Sequence, residues 1–239
     1  MPLLYCLVST PAAAAACQEL EAAGFSLCRE PSPGVWGLML DVPTPQTGEI
    51  PWDRLPEGCR VFGGNLTGVP EGFRAHDLLK DPIYAARNAD ITARCALRLA
   101  GGRLEETLAG LPVLILGWGR IGKCLGRHLR SLGADVSVFA RNPKDRGMLA
   151  ALGYKALDRG KMLAALPGVK LVFNTAPEPL LSEADTHTCP GLLVDLASRR
   201  GMEDPRALWA RGLPGKLAPL SSGRLIARTV CRLWKEAAA

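Results

Sequence analysis

The sequence is poor in the residues that build metal centres and acid–base relays. It has only three histidines among 239 residues. Its eight cysteines form no C-x-x-C pair, and no histidine stands at ligand spacing from one, which excludes the common zinc motifs. Scattered thiols in apolar surroundings are typical of reduced cysteines in the cytoplasm. The sequence therefore predicts a cytoplasmic protein without a metal site.

Long apolar runs and clustered charge are also missing. No apolar run approaches the roughly 18 residues that span a membrane. Residues 3–8 are apolar, but no basic residue comes before Arg29, so we predict a strand there and no secretory signal. The net charge of +6 is spread along the chain. This spread disfavours nucleic acid as a partner and favours a small anionic ligand.

What the sequence does contain is an alternation of strands and helices. Hydrophobic residues make up 48% of the chain and charged residues 22%, which is enough for a folded core. In the first part, strands are predicted at 3–8, 36–42 and 60–63, with helices at 12–23 and 82–100. From residue 111, six predicted strands alternate with helices, which is typical of a doubly wound parallel sheet of the Rossmann type.

This pattern predicts an α/β protein in which a smaller N-terminal α/β domain precedes the Rossmann domain. The predicted segments are a small domain at 1–85, a linking helix at 86–105, a nucleotide-binding domain at 106–220 and a C-terminal helix at 221–239. We expect the C-terminal helix to pack back on the first domain.

The motif G-W-G-R-I-G at 117–122 follows a predicted buried strand and opens a helix. In that context G-x-G-x-x-G binds the pyrophosphate of a dinucleotide. The first glycine permits the tight turn, the second lets the backbone approach the phosphates, and the third lets helix and strand pack closely. A merely structural turn is the alternative. The predicted pyrophosphate-binding residues are Gly117, Trp118, Gly119, Arg120, Ile121 and Gly122.

The end of the next predicted strand indicates which nucleotide binds. An NAD site has Asp or Glu there, whereas this chain has Arg141, which can hold a 2′-phosphate in a bidentate manner. Asn142 and Lys144 add donors. We therefore predict NADP(H), with NAD as the alternative cofactor and a solvated basic loop as the alternative without function. After the fourth strand, we predict contacts to the nicotinamide from Asn174, Thr175, Ala176 and Pro177.

Together with three further segments, these residues resemble the family of dipicolinate synthase A subunits, which is related in fold to the 2-hydroxyacid dehydrogenases. The resemblance covers most of the chain from about residue 77. Its segments are N-A-D-I-T-A at 88–93, L-I-L-G-W-G-R-I-G-K at 114–123, V-D-L-A-S-R-R-G at 194–201 and G-L-P-G-K-L-A-P at 212–219. The chain departs from the family between Gly201 and Ala207, where it lacks a helix, and its first domain is short.

The resemblance implies an NADP(H)-dependent oxidoreductase subunit. With a flavoprotein-like B subunit, the family oxidises dihydrodipicolinate to dipicolinate during sporulation. A homodimer is also compatible with the sequence. The alternative is a non-catalytic, nucleotide-binding subunit with a regulatory or partner-binding role. A shikimate-dehydrogenase-like reductase would need a Lys–Asp pair in the first domain, and no such pair is evident.

A small dicarboxylate substrate requires cations or amides at its binding site. We expect Lys216, in a turn between the last strand and the last helix, to bind it. Ser198 and Arg199, which follow the strand at 192–196, are further candidates. Asn88 and Thr92 lie one turn apart on the linking helix and either contact substrate or join the domains. A solvated surface charge is the alternative for each cation.

No His–Glu pair of the hydroxyacid dehydrogenase kind is evident. Because the oxidation yields an aromatic ring, the reaction needs no strongly activated base. The candidate catalytic residues are Lys216 and His76, the latter predicted at the start of a helix. We interpret His128, on the helix after the glycine loop, as structural.

Overall fold

A computed structural model describes residues 2–45 and 50–236 of the chain. The chain divides into two compact units. Unit 1 contains the residues up to Ile91 and those from Pro214 onward, and unit 2 is Thr92–Leu213. The boundary falls inside one continuous helix, Pro82–Gly101.

Strands and helices alternate along the described residues. The strands are β1 (Leu3–Leu7), β2 (Ser26–Cys28), β3 (Gly37–Leu40), β4 (Arg60–Gly63), β5 (Arg74–Asp77), β6 (Pro112–Leu116), β7 (Asp135–Phe139), β8 (Lys155–Leu157), β9 (Leu171–Asn174), β10 (Leu192–Asp195) and β11 (Leu208–Trp209). The α-helices are α1 (Pro11–Ala22), α2 (Pro82–Gly101), α3 (Arg120–Ser131), α4 (Pro143–Ala151), α5 (Arg159–Ala165), α6 (Glu183–Thr186), α7 (Leu213–Leu217) and α8 (Pro219–Glu236). Short 3₁₀ helices lie at Trp52–Arg54 and Leu166–Gly168.

Unit 1 is built on a parallel sheet in the order β2-β1-β3-β4-β5. Helix α1 begins at Pro11, and the preceding Thr10 is its N-cap, because the Thr10 hydroxyl accepts a hydrogen bond from the Ala13 amide. The alanine run of α1 packs against α8. At Gly223 a Cβ atom would lie 2.6 Å from the Ala15 Cβ and 2.7 Å from the Ala12 oxygen. Small residues on both helices therefore permit a close approach of the two backbones.

Unit 2 is built on a six-stranded parallel sheet in the order β11-β10-β9-β6-β7-β8. The central strands β6 and β9 are buried almost throughout, as expected for strands covered on both faces. The order of the strands reverses between β6 and β9, and a doubly wound sheet binds its ligand at the carboxyl ends of the strands at such a point. The predicted α/β fold class, with a Rossmann-type sheet, is confirmed.

Several local predictions need correction. His76 lies on the edge strand β5 and not at the start of a helix. Neither β5 nor the edge strand β2 is predicted, because these short strands are not buried and lack the alternating apolar pattern. Lys216 lies on the short helix α7 and not in a turn. Among the described residues, no helix is long and apolar enough to cross a membrane.

Candidate functional site

The glycine loop connects β6 to α3, and two of its glycines are required by the protein's own packing. Gly117 has φ +98°, and a Cβ there would lie 2.8 Å from the Thr175 hydroxyl oxygen. At Gly122 a Cβ would lie 2.3 Å from the Gly117 carbonyl oxygen. Any side chain at either position would therefore displace the loop. A structural turn alone accounts for both of these glycines.

Gly119 differs, because the protein around it leaves open space. It is the N-cap of α3 with φ −77°, and apart from its immediate chain neighbours no described residue comes within 4 Å of a Cβ built on it. Neither conformation nor packing requires glycine here. The amides at the start of α3 and the helix dipole favour an anion at this place. An open position beside two sterically required glycines fits a dinucleotide pyrophosphate lying against the backbone.

A cavity of about 350 Å³ lies over this loop. It is bounded by the glycine loop, the residues that follow β7 and the residues that follow β9, so it sits at the carboxyl ends of the strands where a ligand is expected. Its lining residues are Gly117, Trp118, Gly119, Phe139, Ala140, Arg141, Asn142, Asp145, Thr175, Ala176, Pro177 and Leu180. The structure therefore brings together most of the predicted cofactor-binding residues. Outside this lining are Arg120, Ile121, Gly122, Lys144 and Asn174.

Arg141 does not stand alone at the end of β7. Its guanidinium forms a bidentate ion pair with Glu178, in which Nη2 lies 2.8 Å from Oε1 and Nη1 also contacts Oε2. The loop that carries Arg141 is held by Arg146, whose Nη1 donates to the Ala140 and Arg141 carbonyls at 2.8 and 2.6 Å. Neither Glu178 nor Arg146 is predicted from the sequence. The pairing with Glu178 depends on the order of the strands, which no local motif reveals.

The neighbouring donors have partly structural tasks. Asn142 is the N-cap of α4, because its side-chain oxygen accepts from the Lys144 amide at 2.9 Å. This oxygen is therefore engaged within the protein, and the Lys144 side chain is exposed. Trp118 packs edge-on against Tyr154, with ring centroids 5.1 Å apart. Trp118 is also one of the residues that line the cavity.

The side chain of Asn174 is fully buried and is used inside the protein. Its Nδ2 donates to the Asp195 carboxylate at 2.9 Å and to the Ala176 carbonyl at 3.0 Å, while its Oδ1 accepts from the Ala176 amide at 3.1 Å. The polar atoms of this side chain are therefore engaged within the protein, and the predicted contact of residues 174–177 with the nicotinamide stays a prediction. Next to it, the Thr175 hydroxyl donates to the Leu116 carbonyl at 3.0 Å and joins the β9 loop to the glycine loop.

The residues predicted to bind substrate are divided between the units. Asn88 and Lys216 belong to unit 1, and Thr92, Ser198 and Arg199 belong to unit 2. Asn88 and Thr92 are half-buried on α2, whereas the other three are exposed. Their roles stay predictions.

His76 lies in surroundings that suit a structural residue. Its ring stacks on Phe62 with centroids 4.9 Å apart, and its Nε2 is buried without a hydrogen-bond partner among the described residues. Burial lowers the pKa of this histidine, and the nearby Arg60 and Arg74 lower the pKa further. The role of His76 as a proton acceptor stays a prediction.

The acidic, histidine and cysteine side chains do not gather into a metal centre in the part of the chain that the structure describes. Over the ranges 2–45 and 50–236, no group of three or more His, Cys, Asp or Glu side chains could hold a metal ion. The eight cysteines are free thiols.

Comparison with known proteins finds similarity in both sequence and fold. No protein-family profile matches the chain. The chain is 29% identical over 200 residues to the A subunit of dipicolinate synthase of Bacillus subtilis (strain 168), covering 77% of this chain and 67% of that protein. A second, shorter similarity is to glutamyl-tRNA reductase 2 of Nocardioides sp., at 32% over 143 residues, which covers 53% of this chain and 30% of that protein. The resemblance predicted from the sequence is confirmed.

Solved structures support the same relationship at the level of fold. The A subunit of dipicolinate synthase from Bacillus halodurans superposes with a TM-score of 0.81 at 21% identity, covering 97% of this chain and 96% of that one. The corresponding dipicolinate synthase chain from Bacillus subtilis gives a TM-score of 0.80 at 21% identity, covering 99% and 96%. An L-alanine dehydrogenase superposes with a TM-score of 0.62 at 16% identity, covering 89% of this chain and 74% of that one. The fold is therefore of the dehydrogenase type.

Proposed function

We propose that this chain is an NADP(H)-dependent oxidoreductase subunit that oxidises dihydrodipicolinate to dipicolinate. The observation that carries the proposal is the cavity over the glycine loop, with open space at Gly119 and a guanidinium at its edge. The similarity to the dipicolinate synthase of Bacillus subtilis supplies the substrate. Arg141 favours NADP(H), because a guanidinium binds a phosphate in a bidentate manner.

The proposed reaction needs no strongly activated base among the side chains. Oxidation of the dihydro ring removes one hydride and one proton and gives an aromatic ring. A bound nicotinamide would accept the hydride, and water would take up the proton. The glycine loop and the start of α3 would hold the pyrophosphate, and Arg141 the 2′-phosphate. The side of the cavity that would hold the nicotinamide would be lined by Thr175, Ala176 and Pro177. Lys216, Ser198 and Arg199 would bind the substrate carboxylates, with Lys216 also the candidate for stabilising charge during the reaction.

The proposal includes a partner and a cellular setting. The relative is named as one subunit of a synthase, which supports a complex with a second subunit. We identify that partner with the flavoprotein-like B subunit and the setting with sporulation, both on the strength of the resemblance. Eight free thiols support a reducing, cytoplasmic compartment.

One observation favours a second candidate, a nucleotide-binding subunit without catalytic activity. The histidine considered as proton acceptor is stacked on Phe62. Such a subunit would keep the nucleotide site for stability or for binding a partner.

The two candidates are separated by measuring dihydrodipicolinate turnover with NADP⁺, following NADPH absorbance, with and without the B subunit. Nucleotide binding is measured on the same preparations by calorimetry. Turnover that disappears in Gly119→Val supports the oxidoreductase. Nucleotide binding without turnover in the reconstituted complex supports the non-catalytic subunit, and the absence of both contradicts the nucleotide site itself.

A further inference from the structure

The ion pair between Arg141 and Glu178 crosses the proposed nucleotide site. Arg141 lies two residues after the end of β7, and Glu178 lies four residues after the end of β9. In the sheet, β6 lies between these two strands. The pair therefore joins the two loops across the carboxyl end of β6, where the glycine loop begins.

The cavity lies between the same two loops. Ala140, Arg141 and Asn142 line one side, and Ala176 and Pro177 line the other. The side chains of Arg141 and Glu178 are 67% and 45% exposed, so the pair lies at the open edge of the cavity and can be opened by a ligand. An exposed ion pair costs little to break.

The geometry points to Glu178 as a residue that determines nucleotide selectivity, by competing with the 2′-phosphate for the guanidinium of Arg141. This inference rests on the proposed function. Both Arg141 nitrogens that a phosphate would use are taken by the carboxylate. A 2′-phosphate must displace Glu178 and then lies near its negative charge. A nucleotide with a free 2′-hydroxyl carries no phosphate there, and so it does not depend on taking over the guanidinium.

Two other charged side chains at this edge do not replace Glu178 in that role. Asp145 lines the cavity, but among the described residues the ion pair and side-chain hydrogen bonds of Arg141 are made with Glu178 and not with Asp145. Arg146 directs its guanidinium at the Ala140 and Arg141 carbonyls, where it fixes the loop. Glu178 is the acid that contacts the predicted phosphate-binding group. Its negative charge therefore determines how strongly Arg141 attracts a 2′-phosphate.

The test compares Glu178→Gln with the unchanged chain by calorimetric titration of NADPH and NADH. Glutamine keeps the shape and removes the charge. We expect NADPH to bind about three- to tenfold more tightly, the range expected when an exposed charge pair is released and a like charge removed. NADH affinity should stay within about twofold. Glu183→Gln, an exposed acid at the start of α6 in the same unit, removes an equal charge and should change neither affinity.

A double variant tests whether Glu178 acts through Arg141. In the Arg141→Ala background, Glu178→Gln should raise the NADPH affinity much less than it does in the chain with Arg141. Expressed as the logarithm of the affinity ratio, the increase should be less than half as large. Far-ultraviolet circular dichroism checks that each variant is folded. An unchanged ratio of NADPH to NADH affinity in folded Glu178→Gln overturns the inference. A loss of NADH affinity alone also overturns it, because Glu178 would then bind the ribose hydroxyls. If no form of the chain binds either nucleotide, the proposed function fails and the inference with it.

Discussion

The side-chain amide of Asn174 donates a 2.9 Å hydrogen bond to the carboxylate of Asp195, at positions paired directly across the parallel strands β9 and β10. Asp195 also accepts from the amides of Ala197, Gly201 and Met202. A Cβ at Gly201 would lie 2.3 Å from Nδ2 of Asn174, so the loop after β10 closes tightly over this pair. The network fixes the loops that follow both strands.

Removing the carboxylate should therefore destabilise unit 2. In Asp195→Ala three buried amides and Asn174 lose an acceptor, and each unsatisfied buried group costs about 1–3 kcal/mol. We expect the free energy of unfolding to fall by about 3 kcal/mol or more, measured by urea denaturation. As a control, Asp135→Ala removes an exposed carboxylate that pairs with Lys155 and should cost less than about 1 kcal/mol. Equal losses in the two variants would contradict the structural role of Asp195.

Local sequence signals were enough to predict the strands of the second sheet. Buried apolar strands and the motif at 117–122 carry their own signatures, and the six strands predicted from residue 111 onward form the six-stranded sheet. The edge strands of unit 1 were missed, because β5 exposes its first two residues and so shows no apolar alternation. The alanine run of α1 is explained by its close contact with Gly223, which is distant in sequence. Local sequence could not predict this contact.

The site was predictable to a similar extent. A motif with fixed spacing identifies the glycine loop, and the residues around it line one cavity. Contacts between loops are different, since they depend on which strands are neighbours. The pairing of Arg141 with Glu178 and the burial of Asn174 under Gly201 are both of this kind. A polar residue at a strand end is thus ambiguous in sequence, because it can face ligand or hold the neighbouring loop.

Arg141→Ala tests the nucleotide preference. Because the guanidinium would hold the 2′-phosphate, the unchanged chain should bind NADPH at least about tenfold more tightly than NADH, or roughly 1.4 kcal/mol. The variant should lose most of that preference in fluorescence titrations while binding NADH nearly as before. Arg103→Ala, which removes an exposed arginine from the same unit, should keep the preference. Equal affinities for both nucleotides in the unchanged chain would refute the assignment.

Gly119→Val tests whether the pyrophosphate lies on the loop. The position has an ordinary φ of −77°, and no described residue beyond its chain neighbours lies within 4 Å of a Cβ, so the variant should fold. The new methyl groups would occupy the space of the phosphates, and nucleotide binding should become undetectable by calorimetry. The matched control is Gly168→Val, at another open glycine, which precedes the amino end of β9. This variant should bind the nucleotide with unchanged affinity. Unchanged affinity in folded Gly119→Val would show that the pyrophosphate lies elsewhere.

His76 should make the stability of the protein depend on pH. Its pKa in the folded state is lowered below the ordinary value of 6.5 by burial and by two arginines. The contribution of His76 to the free energy of unfolding is therefore fully present above that ordinary value. It is lost as the pH falls through the folded pKa, because the unfolded state binds a proton more readily than the folded state. In His76→Gln, the decline of unfolding free energy between about pH 7 and pH 5 should be shallower, by at most about 1.4 kcal/mol per pH unit. An unchanged slope in folded His76→Gln would remove His76 as the cause.

Lys216→Met tests the proposed contact with the substrate. Methionine keeps an unbranched apolar stem and removes the charge of an exposed lysine on α7. A charged hydrogen bond to a carboxylate contributes about 1.5–3 kcal/mol, so kcat/KM for dihydrodipicolinate in the reconstituted complex should fall by about one to two orders of magnitude. NADPH affinity should barely change, because the proposed phosphate contacts are made by the glycine loop and Arg141.

The control for this variant is Lys161→Met, which removes an exposed lysine from α5 and should leave kcat/KM unchanged. Full activity of the Lys216→Met complex would exclude Lys216 from the substrate site. A parallel fall in NADPH affinity would also count against the assignment, because it would indicate a general disturbance of the protein. Strong turnover by the isolated chain would contradict the need for a partner protein while leaving the nucleotide assignment intact.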